Sequence, residues 1–252
     1  MNSGLGIWVV RDEAEKLGRY LETRLGGNLG GLICKAGMTN REAFSTSFLH
    51  CPQWIMVMAV GIAVRYLDGL TKHKMIDPGV VVLDEGCRFA VSLLGGHEGG
   101  ANLLAYRVAN LTGAVPIVTT ATETLKPLVV GIGCRRDAGI DQIAAAVAEA
   151  LSAVARSEKE IREIATVDLK GDEPGILSWC ERSGVPLRLI PRSLIRERPW
   201  VVEGSPLVYS HFGIEGVCEP CALLATFKGR LILRKTTRNG VAVAIAEEVS
   251  EI

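Results

Sequence analysis

Short apolar runs that resemble buried strands alternate with helical patterns along almost the whole chain. Leu5–Val10 and Trp54–Met58 are two such runs, and a stretch with helical periodicity follows each of them. The first of these stretches places Leu17, Leu21 and Leu25 on one apolar stripe. This alternation predicts an α/β fold, in which helices flank a mostly parallel sheet.

The alternation restarts near Pro127 and divides the chain into two α/β units. Leu128–Ile132 reads as a strand, and a strongly helical stretch from 140 to 155 follows it. Near the end, two strand patterns flank Arg238-Asn239-Gly240, where Asn-Gly suits a tight hairpin turn. We therefore predict two domains, 1–125 and 126–252, each with a mostly parallel sheet flanked by helices.

Composition narrows the class of partner and the compartment. The chain has 28 Lys plus Arg and 28 Asp plus Glu, so it lacks the basic excess typical of nucleic-acid or membrane-surface binding. Its seven scattered cysteines do not resemble a secreted disulfide framework. We see no signal peptide, and the apolar stretch Trp54–Val64 is too short to span a bilayer. These features predict a cytoplasmic protein.

The richest motif is a glycine loop between a strand and a helix, Gly95–Gly100, which contains His97 and Glu98. Glycines allow a ligand to approach backbone N–H groups closely, and a helix start attracts anions. An exposed His97 could transfer protons near neutral pH. The alternative is a tight turn with a solvent-facing histidine.

Three further N-terminal features have both a functional and a structural interpretation. The hydroxyls of Thr119, Thr120 and Thr122 end a strand, where they bind carboxylates or merely reflect β-propensity and a turn. Gly61 joins a strand to a helix, where it admits a ligand or allows close packing. The basic cluster Arg65 and Lys72–Lys74 forms either a pocket or a solvated face.

In the second unit, Gly131–Arg136 places two glycines and two arginines at a strand end before a helix. This segment lacks the third glycine of a dinucleotide fingerprint, whereas its arginines suit planar carboxylates. Cys218 and Cys221 form a lone CxxC without the second ligand pair of a zinc site. Buried small side chains explain this pair better than a redox role.

Several blocks together resemble the cobalt-precorrin-5A hydrolase family (CbiG) of anaerobic cobalamin biosynthesis. In the first unit the blocks are MAVGIAVRYLDGL (58–70), DPGVVVLDEG (77–86), SLLGGHEGGANLLA (92–105) and PIVTTATE (116–123). The second unit is similar to the family's C-terminal domain, also found in CobE-type proteins, through VVGIGCRRD (129–137), VDLKGDEPGI (167–176) and GVCEPCALLA (216–225). Family members commonly carry a middle segment between these units, whereas here Thr122 is followed almost at once by Leu128. The chain thus resembles a short form.

The resemblance implies a reaction in which the lactone of a cobalt tetrapyrrole is opened and acetaldehyde is released, giving cobalt-precorrin-5B. It implies His97 as base and acid, the amides of Gly99 and Gly100 as oxyanion donors, and Glu85 as a residue that orients His97 or moves a second proton. No cofactor and no protein metal site are expected, since the cobalt belongs to the substrate. The residues and the resemblance together predict substrate binding by Gly61, Arg65, His73, Gly95, Gly96, Gly99, Gly100, Asn102, Thr119, Thr120, Thr122, Arg135 and Arg136.

Two other functions stay open at this point. A protein with both units but no middle segment would also suit a non-catalytic carrier of a cobalt-corrinoid intermediate. An α/β dinucleotide-binding enzyme is less favoured, because neither glycine loop has the full fingerprint. The expected partners are the tetrapyrrole and other enzymes of the cobalamin pathway, without nucleic acid or membrane, and a homodimer stays open.

Overall fold

The computed structural model describes residues 4–31, 38–198, 209 and 213–249 of the chain. These residues form two compact units, one up to Thr120 and one from Ala121 onward. Each unit has its own sheet and its own buried apolar clusters. The structure therefore confirms the predicted α/β class with two helix-flanked sheets.

The first unit follows the alternation seen in the sequence. Its strands and helices, in chain order, are β1 (Leu5–Val9), α1 (Glu15–Leu25), β2 (Asn28–Gly30), α2 (Asn40–Ser47), β3 (Gln53–Val57), α3 (Val60–Leu67), β4 (Gly79–Leu83), β5 (Phe89–Leu94), α4 (Ala101–Thr112) and β6 (Val115–Ile117). Thr39 and Glu42 have the sequence spacing of a capping box, and helix α2 begins with this box: Thr39 Oγ1 accepts from Glu42 N at 3.2 Å and Thr39 N donates to Glu42 Oε2 at 2.7 Å. A short 3-10 turn, Asp12–Ala14, precedes α1, so the N-cap of this helix is Ala14 and not the acidic residue Asp12.

One strand pair reverses the direction of the first sheet. The strand order is β2-β1-β3-β4-β5-β6, and β1 to β4 are parallel. Strand β5 is antiparallel to β4, and β6 is parallel to β5. The carboxyl ends of β5 and β6 therefore lie at the edge where β3 and β4 begin.

Side-chain alternation along the strands builds a core on each face of this sheet. Helices α1 and α4 cover one face, where Ile7, Ile55 and Leu104 are buried. Helices α2 and α3 cover the opposite face, around a cluster of aromatic rings that includes Trp8 and Trp54. Helices α3 and α4 thus pack on opposite faces of the sheet.

The second unit contains β7 (Leu128–Cys134), α5 (Ile140–Ala153), β8 (Ile161–Val167), α6 (Pro174–Ser183), β9 (Leu187–Ile190), α7 (Arg192–Arg196), α8 (Cys218–Leu224), β10 (Gly229–Arg238) and β11 (Val241–Glu248). Its strand order is β10-β11-β7-β8-β9, with β7, β8 and β9 parallel and β11 antiparallel to both β10 and β7. The predicted terminal hairpin is confirmed, and Asn239 and Gly240 at its turn both have positive φ.

Candidate functional site

The glycine loop lies at one edge of the first sheet, which we call the glycine-loop edge. This edge comprises the end of β5 with Gly95–Gly100, the end of β6 with Thr119 and Thr120, and the starts of β3 and β4. Gln53, the first residue of β3, donates from Nε2 to Gly99 O at 2.9 Å and ties the loop to the sheet. Sequence reasoning did not identify Gln53, because its role depends on which strand lies beside the loop.

Close backbone packing explains two of the loop glycines. A Cβ on Gly99 would lie 2.6 Å from Gly79 N, and one on Gly95 would lie 3.1 Å from Gly79 Cα. Gly95 also has a φ of 64°, which side-chain-bearing residues rarely adopt. These glycines therefore let the loop pack against the start of β4, a role that the sequence did not distinguish from ligand access.

The amides of Gly99 and Gly100 are already engaged within the loop. Gly99 N donates to Gly95 O at 3.0 Å, and Gly100 N donates to His97 O at 3.1 Å. The expectation that these two amides hold an oxyanion is therefore not met. The amide of Gly96, in contrast, donates to no acceptor in the described part of the chain.

Asn102 links the three elements that meet at this edge. Its Oδ1 accepts from Ser92 Oγ at 2.8 Å on β5, and its Nδ2 donates to Thr120 Oγ1 at 3.2 Å after β6. Its backbone N donates to Gly96 O at 3.0 Å. This network brings the predicted residues Gly96, Asn102 and Thr120 together, and Thr119 is exposed beside them.

His97 is exposed at the tip of the loop, next to a charged pair. Lys74 Nζ lies 3.4 Å from Glu98 Oε1. The pKa of Glu98 is lowered, first by a hydrogen bond from its own backbone N–H and then by Lys74, with a smaller contribution from the charge of His97. Since Lys74 directly follows His73, the structure brings His73 to the same edge as His97.

Glu85 lies at the opposite edge, which we call the hairpin edge. It belongs to the turn between β4 and β5, and its Oε2 is 3.6 Å from Nη1 of Arg11, which follows β1. The length of β5 separates this turn from the glycine loop by roughly 20 Å, at ~3.4 Å per residue. The interpretation that Glu85 orients His97 is therefore wrong, because antiparallel pairing sends β5 back across the sheet.

Gly61 and Arg65 lie on α3, which begins just after the carboxyl end of β3 at the hairpin edge. A Cβ on Gly61 would meet nothing within 4 Å, and Val60 and Val64 beside it are 41% and 52% exposed. Gly61 is thus not required by packing. Both residues therefore lie away from the glycine-loop edge, and their role in substrate binding stays a prediction.

In the second unit, Arg135 and Arg136 follow the carboxyl end of β7 and are exposed. Neither side chain forms an ion pair with any residue that the structure describes. Arg135 N donates to Gly240 O at 3.1 Å, which fixes the turn to the terminal hairpin. Guanidinium groups suit planar carboxylates, so the binding of anionic groups by Arg135 and Arg136 stays a prediction.

A buried ion pair holds the turn 135–137, which we call the arginine turn. Lys170 Nζ donates to Glu173 Oε1 at 2.9 Å, and both side chains are only 8% exposed. The second oxygen of Glu173 accepts from Asp137 N at 3.1 Å, and Asp137 has a φ of 60°. In the sequence Lys170 and Glu173 only precede α6, and the fold alone shows that they hold the arginine turn.

Cys218 and Cys221 begin α8 and are buried against β7. Burial raises the pKa of Cys218 to about 12 and the pKa of Cys221 well above its ordinary value. Both thiols are free. Their arrangement fits the predicted packing role, since a protonated thiol is a poor nucleophile and a poor metal ligand.

Thr122 lies in the 3-10 turn Ala121–Leu125 at the start of the second unit and is exposed.

Among the described residues, no group of three or more His, Cys, Asp or Glu side chains converges in a way that could hold a metal ion. In the same part of the chain, no helix is long and apolar enough to cross a bilayer.

Two protein-family models match the chain, one in each unit. The model described as "Cobalamin synthesis G N-terminal" matches residues 42–123, and "Cobalamin synthesis G C-terminus" matches residues 128–246. The chain belongs to the CbiG family. The glycine loop, with His97, and the arginine turn lie within the N-terminal and C-terminal matches of this CbiG chain respectively.

Three curated proteins show how the CbiG chain relates to its relatives. It is 26% identical to "Cobalt-precorrin-5A hydrolase" of Salmonella typhimurium, with 82% of this chain and 84% of the relative covered. It is 27% identical to "Probable cobalt-precorrin-5A hydrolase" of Methanocaldococcus jannaschii, with 77% and 85% covered. It is also 27% identical to "Protein CobE" of Sinorhizobium sp, with 47% and 79% covered.

The Salmonella alignment runs over 299 positions, which exceeds the 252 residues of this CbiG chain. Within the alignment, the relative therefore has segments that have no counterpart in this chain. This agrees with the short form indicated by the sequence.

Proposed function

We propose that this protein hydrolyses cobalt-precorrin-5A to cobalt-precorrin-5B, opening the lactone and releasing acetaldehyde. The observation that carries the proposal is the exposed His97 on a loop whose backbone is anchored to β3, β4 and α4. Two relatives named for this activity cover most of the chain. A loop that is anchored to the sheet and carries an exposed histidine suits general acid–base chemistry.

In the proposed reaction, His97 takes a proton from a water molecule as its oxygen attacks the lactone carbonyl carbon. The amide of Gly96, which donates to no acceptor in the described part of the chain, stabilises the resulting oxyanion. The ring oxygen then leaves as an alcohol and receives the proton from His97. Loss of the alcohol proton breaks the adjacent carbon–carbon bond, acetaldehyde departs, and the macrocycle carbon takes up a proton.

Each unit by itself offers basic side chains as candidate partners for acidic arms of the substrate. His73 is exposed at the glycine-loop edge, and Arg135 and Arg136 are exposed on the anchored turn of the second unit. Planar guanidinium groups bind carboxylates through paired hydrogen bonds. Cobalt enters with the substrate and leaves with the product, so the proposal assigns no metal ligand to the chain.

A carrier function is the second candidate, favoured by the segments that this chain lacks relative to the Salmonella hydrolase. One experiment separates the two. The protein is incubated anaerobically with cobalt-precorrin-5A, and acetaldehyde is trapped and quantified against a protein-free control. Enzyme-dependent acetaldehyde supports the hydrolase, whereas stoichiometric binding without acetaldehyde supports the carrier.

A further inference from the structure

In the turn between α3 and β4, two exposed apolar side chains directly follow the basic residues Lys72–Lys74. Met75 and Ile76 are 63% and 64% exposed, although bulky apolar side chains are usually buried. The residues directly before them are also exposed and are all basic: Lys72, His73 and Lys74. We call Lys72–Ile76 the basic-apolar turn.

The basic-apolar turn is ordered by its own hydrogen bonds. Asp77 is buried, and its carboxylate accepts from Lys72 N at 3.0 and 2.9 Å. The amides of Ile76 and Asp77 both donate to His73 O at 3.0 Å. The exposure of Met75 and Ile76 is therefore a property of a defined turn, in which a buried carboxylate fixes both ends.

The turn is continuous with the glycine loop. Lys74 pairs with Glu98, which is next to His97. The chain then runs through Pro78 to Gly79, against which Gly95 and Gly99 pack. The surface beside His97 therefore carries two exposed apolar side chains and the basic side chains of Lys72, His73 and Lys74, with Glu98 as the acid paired to one of them.

We propose that the basic-apolar turn binds the rim of an amphipathic polycarboxylate macrocycle and holds it beside His97. The inference rests on the proposed function and adds Lys72, Lys74, Met75 and Ile76 to the binding surface. Apolar ring edges would cover Met75 and Ile76, and acidic arms would pair with the basic side chains. A purely apolar partner would leave these cations without counter-charges, and a nucleic acid would leave the apolar pair without a complement.

The test uses two double variants of the full chain, Met75→Ser/Ile76→Ser and Lys72→Gln/Lys74→Gln. The four side chains that are replaced are exposed, so the substitutions should not disturb the core. Thermal unfolding checks that each variant folds. The apolar control is Phe227→Ser in the second unit, where Phe227 is 76% exposed. The charge control is Lys16→Gln/Lys159→Gln, which removes two exposed positive charges elsewhere.

Binding of uroporphyrin III, a polycarboxylate tetrapyrrole, is measured by fluorescence titration at low and high salt. Each turn variant should bind about tenfold more weakly than wild type, and the controls should bind like wild type. The lysine variant should also show a weaker salt dependence. In the acetaldehyde assay, both turn variants should raise KM and leave kcat nearly unchanged, because the turn holds the rim rather than the reacting carbon.

Wild-type affinity in both turn variants, or an equal loss in the controls, would overturn the inference. A change of oligomeric state in the Met75→Ser/Ile76→Ser variant with unchanged porphyrin binding would assign the apolar pair to a protein interface instead. If wild type releases no acetaldehyde but the turn variants still lose porphyrin affinity, the proposed hydrolase fails and this inference stands. If acetaldehyde is released with wild-type KM in both variants, the hydrolase stands and this inference fails.

Discussion

At the scale of single residues, we expect His97 but not Glu85 to take part in the reaction. His97 is exposed at the glycine-loop edge, whereas Glu85 is paired with Arg11 at the hairpin edge. Both were candidates because of the family resemblance. Only their positions at opposite ends of β5 separate them.

We predict that His97→Asn lowers kcat for acetaldehyde release by about 100- to 10,000-fold, the usual contribution of a general acid–base. Asparagine is similar in size and can still form hydrogen bonds, so folding and substrate binding should persist. Glu85→Gln is the control and should retain the wild-type kcat. A His97→Asn protein with wild-type turnover would remove His97 from the mechanism.

Cys218 and Cys221 should be inert in the folded protein. Burial raises the pKa of Cys218 to about 12, so its thiol stays protonated at neutral pH. We expect iodoacetamide to alkylate the half-buried Cys51 and Cys87 before either buried thiol, as followed by mass spectrometry of peptides. The buried pair should react only after unfolding, and rapid labelling of native Cys218 would contradict this.

At the scale of secondary-structure elements, replacing either of two glycines by alanine should change the stability of the fold in opposite directions. A Cβ on Gly131 of β7 would overlap the carbonyl oxygen of Cys218 at the start of α8. Gly61 of α3 faces open space, and glycine is a poor helix former there. The first glycine is required by packing, and the second is not.

We therefore predict that Gly131→Ala lowers the free energy of unfolding by about 1–3 kcal/mol, because the helix must shift away from the strand. Gly61→Ala should raise it by about 0.5–1 kcal/mol. Urea denaturation of both variants measures the difference. If Gly61→Ala is more stable yet has a higher KM, Gly61 contacts substrate as the sequence predicts; equal stability losses in both would contradict the packing argument.

At the scale of the whole molecule, charged side chains at the amino ends of β8 and β9 hold the second unit together. Glu248 at the end of β11 accepts from Arg162 at 3.1 Å and from the amides of Phe227 and Lys228. Arg162 and Arg188 both donate to Ala225 O after α8. Burial raises the pKa of Glu248, but these hydrogen bonds and Arg162 outweigh it, so the net pKa is lowered.

We predict that Glu248→Gln destabilises the second unit by about 1–3 kcal/mol at neutral pH, since three donors lose a charged acceptor. A carboxyl group whose pKa is lowered by folding stabilises the folded state at pH values above its ordinary pKa of 4.5. This stabilisation is lost as the pH falls through the folded-state pKa. The difference between wild type and variant should therefore shrink in acid. Urea unfolding at several pH values measures it, and a difference independent of pH would contradict the assignment.

The sequence by itself determined the features that depend on neighbouring residues. The alternation of apolar runs with helical patterns indicates the α/β class, and Thr39 with Glu42 marks the start of α2. Asn239-Gly240 identifies the terminal hairpin in the same way. The glycine loop was placed correctly between β5 and α4, because periods, caps and turns act over only a few residues.

Only the tertiary structure decided which loops share an edge, because strand direction sets where each strand ends. Residues 84–88 are too few for a parallel crossover, so the sequence held an unused signal that β5 reverses. That reversal moved Glu85 away from His97 and brought Gln53 and Lys74 to the glycine loop. The roles of Glu173 and Gly99 were equally hidden, because their partners Asp137 and Gly79 are distant along the chain and meet them only when the sheets form.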